Sequence, residues 1–243
     1  MPFTLSHPAA VLPLRRIGLP VTAMVAGSMV PDLSLFLGWH RGYVYAHSPL
    51  GVVTVDVVAT LVAVWAWFTV LRDALVDLAP DVVRSRLTQH VTLTARQWWL
   101  VMPAASVGAL THVSWDAFTH RGRWGVRELA LLREQQFGLP GYQWAQYASG
   151  LLGFAIVCWS AARYVRALPP VPRQDPRPDW ATGVLLAVAL TGAATGIATA
   201  AMNIPSGFQA MGFHGAVNAV RAGTATLIAV CVVWWCLPRR AAG

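Results

Sequence analysis

The sequence predicts an all-α protein, an integral membrane bundle of about six transmembrane helices, or five. Two observations carry that prediction. Apolar residues make up 56% of the 243 and charged residues 12%, with a mean hydropathy of +0.52, whereas soluble domains carry roughly 25% charged residues. In addition, apolar runs close to the ~20 residues needed to cross a bilayer recur along the whole chain.

Taken in order, the runs cover roughly 18–38, 50–71, 98–119, 145–168, 180–203 and 213–237. The first is interrupted by "SMVPD", and the fifth is rich in Ala, Gly and Thr rather than Leu. Ser6, His7, Pro8, Arg15 and Arg16 precede the first run, so it does not read as a cleaved secretory signal and is expected to remain as a span. Residues 72–97 are polar, and 169–179 read "PPVPRQDPRPD", a proline-rich linker that cannot continue a helix. The organisation expected is a motif-rich membrane domain at 1–168, the linker at 169–179 and a two-helix unit at 180–243. Within the last, Gly192 and Gly196 lie four apart among small residues, a pattern for close helix packing. Cys158, Cys231 and Cys236 lie in apolar runs and form no CxxC pair, which supports neither a disulfide framework nor a thiolate zinc site.

Every basic residue is arginine and the net charge is +8. On a membrane protein such charge belongs to loops facing anionic lipid, and no nucleic-acid partner is expected. With the N-terminus cytoplasmic, twelve arginines flank the inner ends of the spans and five the outer ends, so the positive-inside bias places both termini on the cytoplasmic side of the cell membrane. Asp32, His40, His47, Asp56, His112, Asp116 and His120 then all fall toward the outer face.

The stretch "GALTHVSWDAFTHRG", residues 108–122, holds the sharpest pattern. His112 and Asp116 are at i and i+4 and stack on one helix face, while His120 follows about 40° further round and roughly 12 Å along the axis from His112. One ion cannot take all three from a straight helix. Either two neighbouring ions share Asp116, or the helix ends after Asp116 and turns His120 back. Nitrogen and carboxylate ligands without thiolate suit zinc, with manganese or iron(II) as alternatives. A carboxylate in mid-membrane costs roughly 2.5–3.5 kcal/mol on insertion scales, so an intramembrane Asp is a functional candidate by default. The competing readings are a hydrogen-bonded pair and a proton path. Asp32, in "VPDLS", is either a ligand or the N-cap of a helix restarting after Pro31. His47, in "YAHSPLG", is either a ligand or a solvated loop residue. His40 and Asp56 are weaker candidates, His90 reads as a loop residue, and Trp39, Tyr43 and Trp124 read as interfacial belt aromatics. His214, Asn218 and Arg221 form one polar stripe at the start of the last span, read as interhelical hydrogen bonding, with Arg221 also able to fork onto a phosphate.

The segments "MPFTLSHPAAVLPLRR", "GSMVPDLSLFLG", "AHSPLG", "GALTHVSWDAFTH" and "LPGYQWAQYASGLLG" together resemble the bacterial multi-pass membrane family called domain of unknown function 4184, over most of residues 1–160. More distantly the chain is similar to membrane-bound metal-dependent hydrolases and to the all-helical zinc-dependent phospholipase C group. That likeness implies a zinc site for phosphodiester hydrolysis with His7, Asp32, His47, His112 and Asp116 as ligands. The soluble enzymes continue with a further His and a Glu; here His120 is close, and Glu128 and Glu134 stand at other spacings. His7 starts on the inner side unless residues 1–17 dip into the membrane, for which "TLSHPAAVLPL" is apolar enough.

The expected function is therefore a metal-dependent hydrolase acting on a lipid or lipid-linked phosphoester, with His120 or Asp56 as base or supporting partner and Arg41 or Arg221 as phosphate holders. The alternative is a non-catalytic membrane protein, a partner subunit or small transporter, in which the same groups form a hydrogen-bonded or proton-relay network.

Overall fold

The computed structural model describes residues 4–171, 173 and 175–237; Pro172 and Gln174 of the linker, and Arg239 and Arg240 counted on the inner side, lie outside them. The regular structure of the described residues is helical apart from a short hairpin, Gln135–Gln136 with Leu139–Pro140. Seven helices organise it: α1 (Val21–Gly27), α2 (His40–Ala46), α3 (Val55–Leu78, with a π-helical turn at Trp67–Leu71), α4 (Ala95–Thr119), α5 (Gly141–Ala167), α6 (Ala181–Met202) and α7 (Phe208–Cys236).

Four of the six expected spans correspond to helices long and apolar enough to cross a membrane, namely α3, α5, α6 and α7. The other two depart from the expectation for different reasons. The run 18–38 is broken: α1 ends at Gly27, a 3-10 turn covers Val30–Asp32, and a short helix follows at Leu33–Phe36. Pro31 has no N–H to give the i–4 bond a continuous helix requires. The run 98–119 is one unbroken 25-residue helix, α4. It starts at a capping box, in which the Thr94 side chain accepts from Gln97 N while the Gln97 side chain accepts from Thr94 N. It passes through Pro103 without a break. Its length suffices, but Gln97, Ser106, Thr111, His112, Ser114 and Asp116 dilute its apolar character.

By contacts the chain forms two units: residues 1–65 with 93–163, and residues 66–92 with 164–243. In the first, α1 lies directly against α4. A Cβ on Gly108 would stand 2.2 Å from the Met24 carbonyl oxygen and 2.8 Å from Ser28 N, and one on Gly27 would stand 2.5 Å from the Ala105 oxygen. Glycine is the side chain that permits this approach. Val101, Ala104, Ala105 and Ala109 of α4 are wholly buried there, with Ala23 and Met24 of α1. The first residues also fold in: Thr4–Leu14 makes consecutive short helical turns, Val11 is fully buried, and Ser6 packs on Gly153 of α5.

In the second unit α6 and α7 meet through Gly192, Gly196, Gly215 and Ala219, where a Cβ on Gly196 would lie 2.8 Å from that of Ala219. The small-residue pattern read from the sequence thus marks a close helix pair. The polar end of this unit is tied by arginines. Arg84 pairs with Asp77 at 2.8 Å and Arg177 donates to the Leu78 carbonyl at 2.9 Å. The Trp234 indole reaches Asp77 Oδ2 at 3.0 Å. Burial of large apolar surface in lipid explains why so many leucines, valines and tryptophans of these helices are exposed. With four apolar helices, the chain is a membrane protein.

Candidate metal centre

The helical period alone brings His112 and Asp116 together: His112 Nε2 lies 3.4 Å from Asp116 Oδ2. The break after α1 supplies the next residue. Asp32 ends the 3-10 turn and occupies the N-cap position of the short helix behind it, yet its side chain makes no capping bond. Its Oδ2 instead accepts from the Thr4 hydroxyl at 2.6 Å, and its Oδ1 faces His112 Nε2 at 3.6 Å. His47 follows α2 as its C-cap residue. Its Nε2 is 3.4 Å from Asp116 Oδ2 and 4.0 Å from Asp32 Oδ1. Asp32, His47, His112 and Asp116 therefore offer four ligand atoms within 4.8 Å of one another, all on buried residues.

Two further histidines gather on the other oxygen of Asp116. His7 Nε2 stands 3.7 Å from Oδ1, and the His7 ring stacks on His112 with centroids 3.7 Å apart. His120 follows α4 with an extended backbone, so the helix ends and the ring turns back, placing Nδ1 3.4 Å from Oδ1. Asp116 thus looks two ways, toward His47 and His112 through Oδ2 and toward His7 and His120 through Oδ1.

The backbone decides which nitrogen each ring presents. His112 Nδ1 is 2.8 Å from the Ser28 carbonyl and His47 Nδ1 is 2.9 Å from the Tyr43 carbonyl. A carbonyl only accepts, so Nδ1 carries the hydrogen in both rings and a neutral ring directs its Nε2 lone pair inward. Inside, Nε2 of His7, His47 and His112 and both oxygens of Asp116 are buried and have no hydrogen-bond partner. Lone pairs then face lone pairs, an arrangement expensive to leave unsatisfied. The spacing identifies what suits it. Charge-assisted N–H···O bonds measure about 2.7–2.9 Å. Four ligands at 2.0–2.2 Å around a tetrahedral ion stand about 3.3–3.6 Å from each other. The separations of 3.4, 3.4 and 3.6 Å fall in the second range, His47 and Asp32 stand 4.0 Å apart, and all four ligand atoms lie within 4.8 Å of one another. The donor set is compatible with a divalent cation, and two carboxylates balance its charge.

Around the cluster, exposure is uneven. The side chains of His7, Asp32, His47, His112 and Asp116 are at most 5% exposed, whereas that of His120 is 18% exposed. Its Nε2 lies 3.4 Å from the Gln146 amide of α5. Burial pushes the His120 imidazole down, with the Asp116 charge opposing. Tyr43, expected at a membrane belt, is part of this site: its ring lies 4.1 Å from that of His47. Burial, then the Asp116 and Asp32 charges, pushes its phenol up. Thr4, Ser28, Tyr43 and Gln146 were not readable as site residues, because their contacts are made by backbone carbonyls and by residues distant in sequence.

The remaining candidates fall elsewhere. Asp56 is buried on α3 with Oδ2 unpartnered, outside the four-ligand group. His40 and Arg41 are exposed on α2. Arg221 belongs to the second unit, where its Nη1 donates to Asn218 Oδ1 at 3.4 Å. His90 is anchored in the same unit, 2.6 Å from Asp73. Glu128 and Glu134 are exposed near the short hairpin.

Compared with known proteins, residues 1–234 match the family model described as "Domain of unknown function (DUF4184)". No curated protein and no solved structure matches the chain.

Proposed function

The chain belongs to the DUF4184 family, and from that premise we propose that it is a membrane-embedded metal-dependent hydrolase acting on a lipid or lipid-linked phosphoester. The observation that carries the metal is the buried group Asp32, His47, His112 and Asp116, with ligand atoms within 4.8 Å of one another and with His47 Nε2, His112 Nε2 and both Asp116 oxygens unpartnered. Asp32, His47, His112 and Asp116 hold the ion, and His7 extends the ligand set on the Oδ1 side of Asp116. A bound zinc or manganese ion supplies Lewis-acid polarisation of the phosphoryl group and acidifies water at the site.

The chain's own groups do the rest. Thr4 and the Ser28 and Tyr43 carbonyls fix the ligand orientations. Packing of α1 on α4 keeps bulk water from the inner side. His120 stands with Nδ1 3.4 Å from Asp116 Oδ1 and 3.3 Å from the Thr119 hydroxyl, and beside the Gln146 amide its Nε2 lies at the more exposed edge. That nitrogen takes the proton of the attacking water and returns it to the leaving alkoxide as the P–O bond breaks. The hydrolase step rests on this His120 placement and on the chain's distant likeness to metal-dependent hydrolases.

Elemental analysis of the purified protein in detergent tests the reading without a guess at substrate. About one or two equivalents of zinc or manganese per chain are expected, with metal-dependent release of phosphate or phosphoester headgroup from a lipid panel. A chain free of divalent metal, even after reconstitution, would instead favour the hydrogen-bonded network of a non-catalytic membrane protein.

A further inference from the structure

We infer that Arg123, set over Tyr43, is the oxyanion-recognition residue of this centre, receiving the phosphoryl group of the substrate at the site's exposed edge. The inference rests on the metal reading above and assigns the substrate-binding charge to a residue that neither the sequence pattern nor the ligand group singles out.

Three observations place it there. Arg123 follows α4 by one turn, and its N–H donates to the His120 carbonyl at 3.2 Å, so it is bound to the backbone of the histidine at the exposed edge. Its guanidinium carbon lies 6.0 Å from the centre of the Tyr43 ring, and Tyr43 in turn contacts His47 through both ring and carbonyl. The guanidinium is therefore one side-chain layer from the ligands, reached through Tyr43 on one side and His120 on the other. Finally, among the described residues no carboxylate lies within ion-pair distance of Arg123, whereas Arg72 and Arg84 each have one.

Charge balance gives that unpaired cation its role. A divalent ion with Asp32, Asp116 and neutral histidines is electrically even, so the centre by itself exerts little pull on an anion. Arg123 adds the unmatched positive charge on the side where His120 reaches solvent. Its planar fork suits two oxygens of a phosphoryl group, and the Tyr43 ring, 6.0 Å from the guanidinium carbon, flanks it. Arg41, exposed on α2, and Arg221, in the second unit, have no comparable tie to the ligands.

The test uses full-length protein in detergent, loaded with cobalt(II), and follows the visible absorption of the metal while inorganic phosphate is added. Parent protein is expected to bind phosphate. R123Q is expected to retain its cobalt and to weaken phosphate binding about ten- to a hundredfold, the scale of one charge-assisted contact. R123K is expected to recover part of the loss, as a point charge without the fork. R41Q is expected to bind as the parent does. Unchanged phosphate binding in cobalt-loaded R123Q, or a cobalt-loaded parent that binds no phosphate, overturns the assignment while leaving the metal centre standing. A parent that takes up no metal overturns both. Should R123Q fail to fold, R123K carries the same comparison, and binding equal to the parent would again count against the fork.

Discussion

Asp116 is the one side chain shared by every histidine at the centre, and its two oxygens have different neighbours. Asp116→Asn removes the charge that offsets the ion and turns one oxygen into a donor facing His Nε2 atoms. Metal content is expected to fall to near zero in detergent-purified protein. His120→Gln removes a group at the rim and is expected to keep at least one metal per chain while hydrolysis is lost; plasma emission spectrometry on folded variants separates the two. Equal metal in both would contradict the division of labour. The sequence reaches this far because His112 and Asp116 sit four apart, where the helical period alone makes them neighbours. It offers Asp32 and His47 as ligand candidates, each with an ordinary alternative as cap or solvated loop residue, and reaches His7 only through family resemblance. Tyr43 and Arg123 were out of reach: an aromatic and an arginine flanking an apolar run are what any membrane protein shows at its interfaces, and only the fold directs them to His47 and His120.

At the scale of elements, the centre depends on how closely α1 approaches α4. Ser28, whose carbonyl orients His112, lies one residue beyond α1, and its N–H lies where a Cβ on Gly108 would project. Gly108→Ala therefore forces the two backbones apart. Overpacking of this kind costs about 1–3 kcal/mol, and a lowered thermal midpoint with weakened metal retention is expected. Leu110→Ala, on the same helix but 57% exposed, should change neither. Calorimetry or a thiol-reactive unfolding dye reads the midpoints. The expected helices form where apolar runs are uninterrupted, as in α5, α6 and α7, and over 98–119 as α4, whereas the two elements that build the centre are the least bilayer-like. The first run breaks at Pro31 so that Asp32 can turn inward, and α4 carries too many polar groups to satisfy a hydropathy criterion. Both departures have one cause: residues placed for a polar site obey that site's geometry rather than the bilayer's. The Gly27–Gly108 approach was hidden as well, because its glycines come from different helices, whereas Gly192 and Gly196 lie four apart on one.

For the whole molecule, we propose both termini inside, from the arginine bias of twelve against five. Reporter fusions within 72–97 and at the C-terminus should both signal cytoplasm; an external signal from either reverses the orientation. The division into two units makes a second prediction. A ligand stabilises the state that binds it, by about 2.7 kcal/mol at a free concentration a hundredfold above its Kd. Since every ligand proposed here lies in the unit formed by 1–65 and 93–163, chelation should raise amide exchange there and leave α6 and α7 unchanged. Uniform loosening of both would place the ion elsewhere. The location of the ligands along the chain also sets an order of events. Ser28 and His112, joined through one hydrogen bond, are 84 residues apart. At 5–20 residues per second, about 4–17 s of synthesis separate them, during which Asp32 and His47 exist without the helix that completes their environment. If the proposed ion binds, its loading must await the synthesis of α4. On the proposed metal reading, a ribosome stalled soon after residue 90 would carry a chain with half of the ligand set, so the ion would act as the last fastener of the first unit rather than as its nucleus.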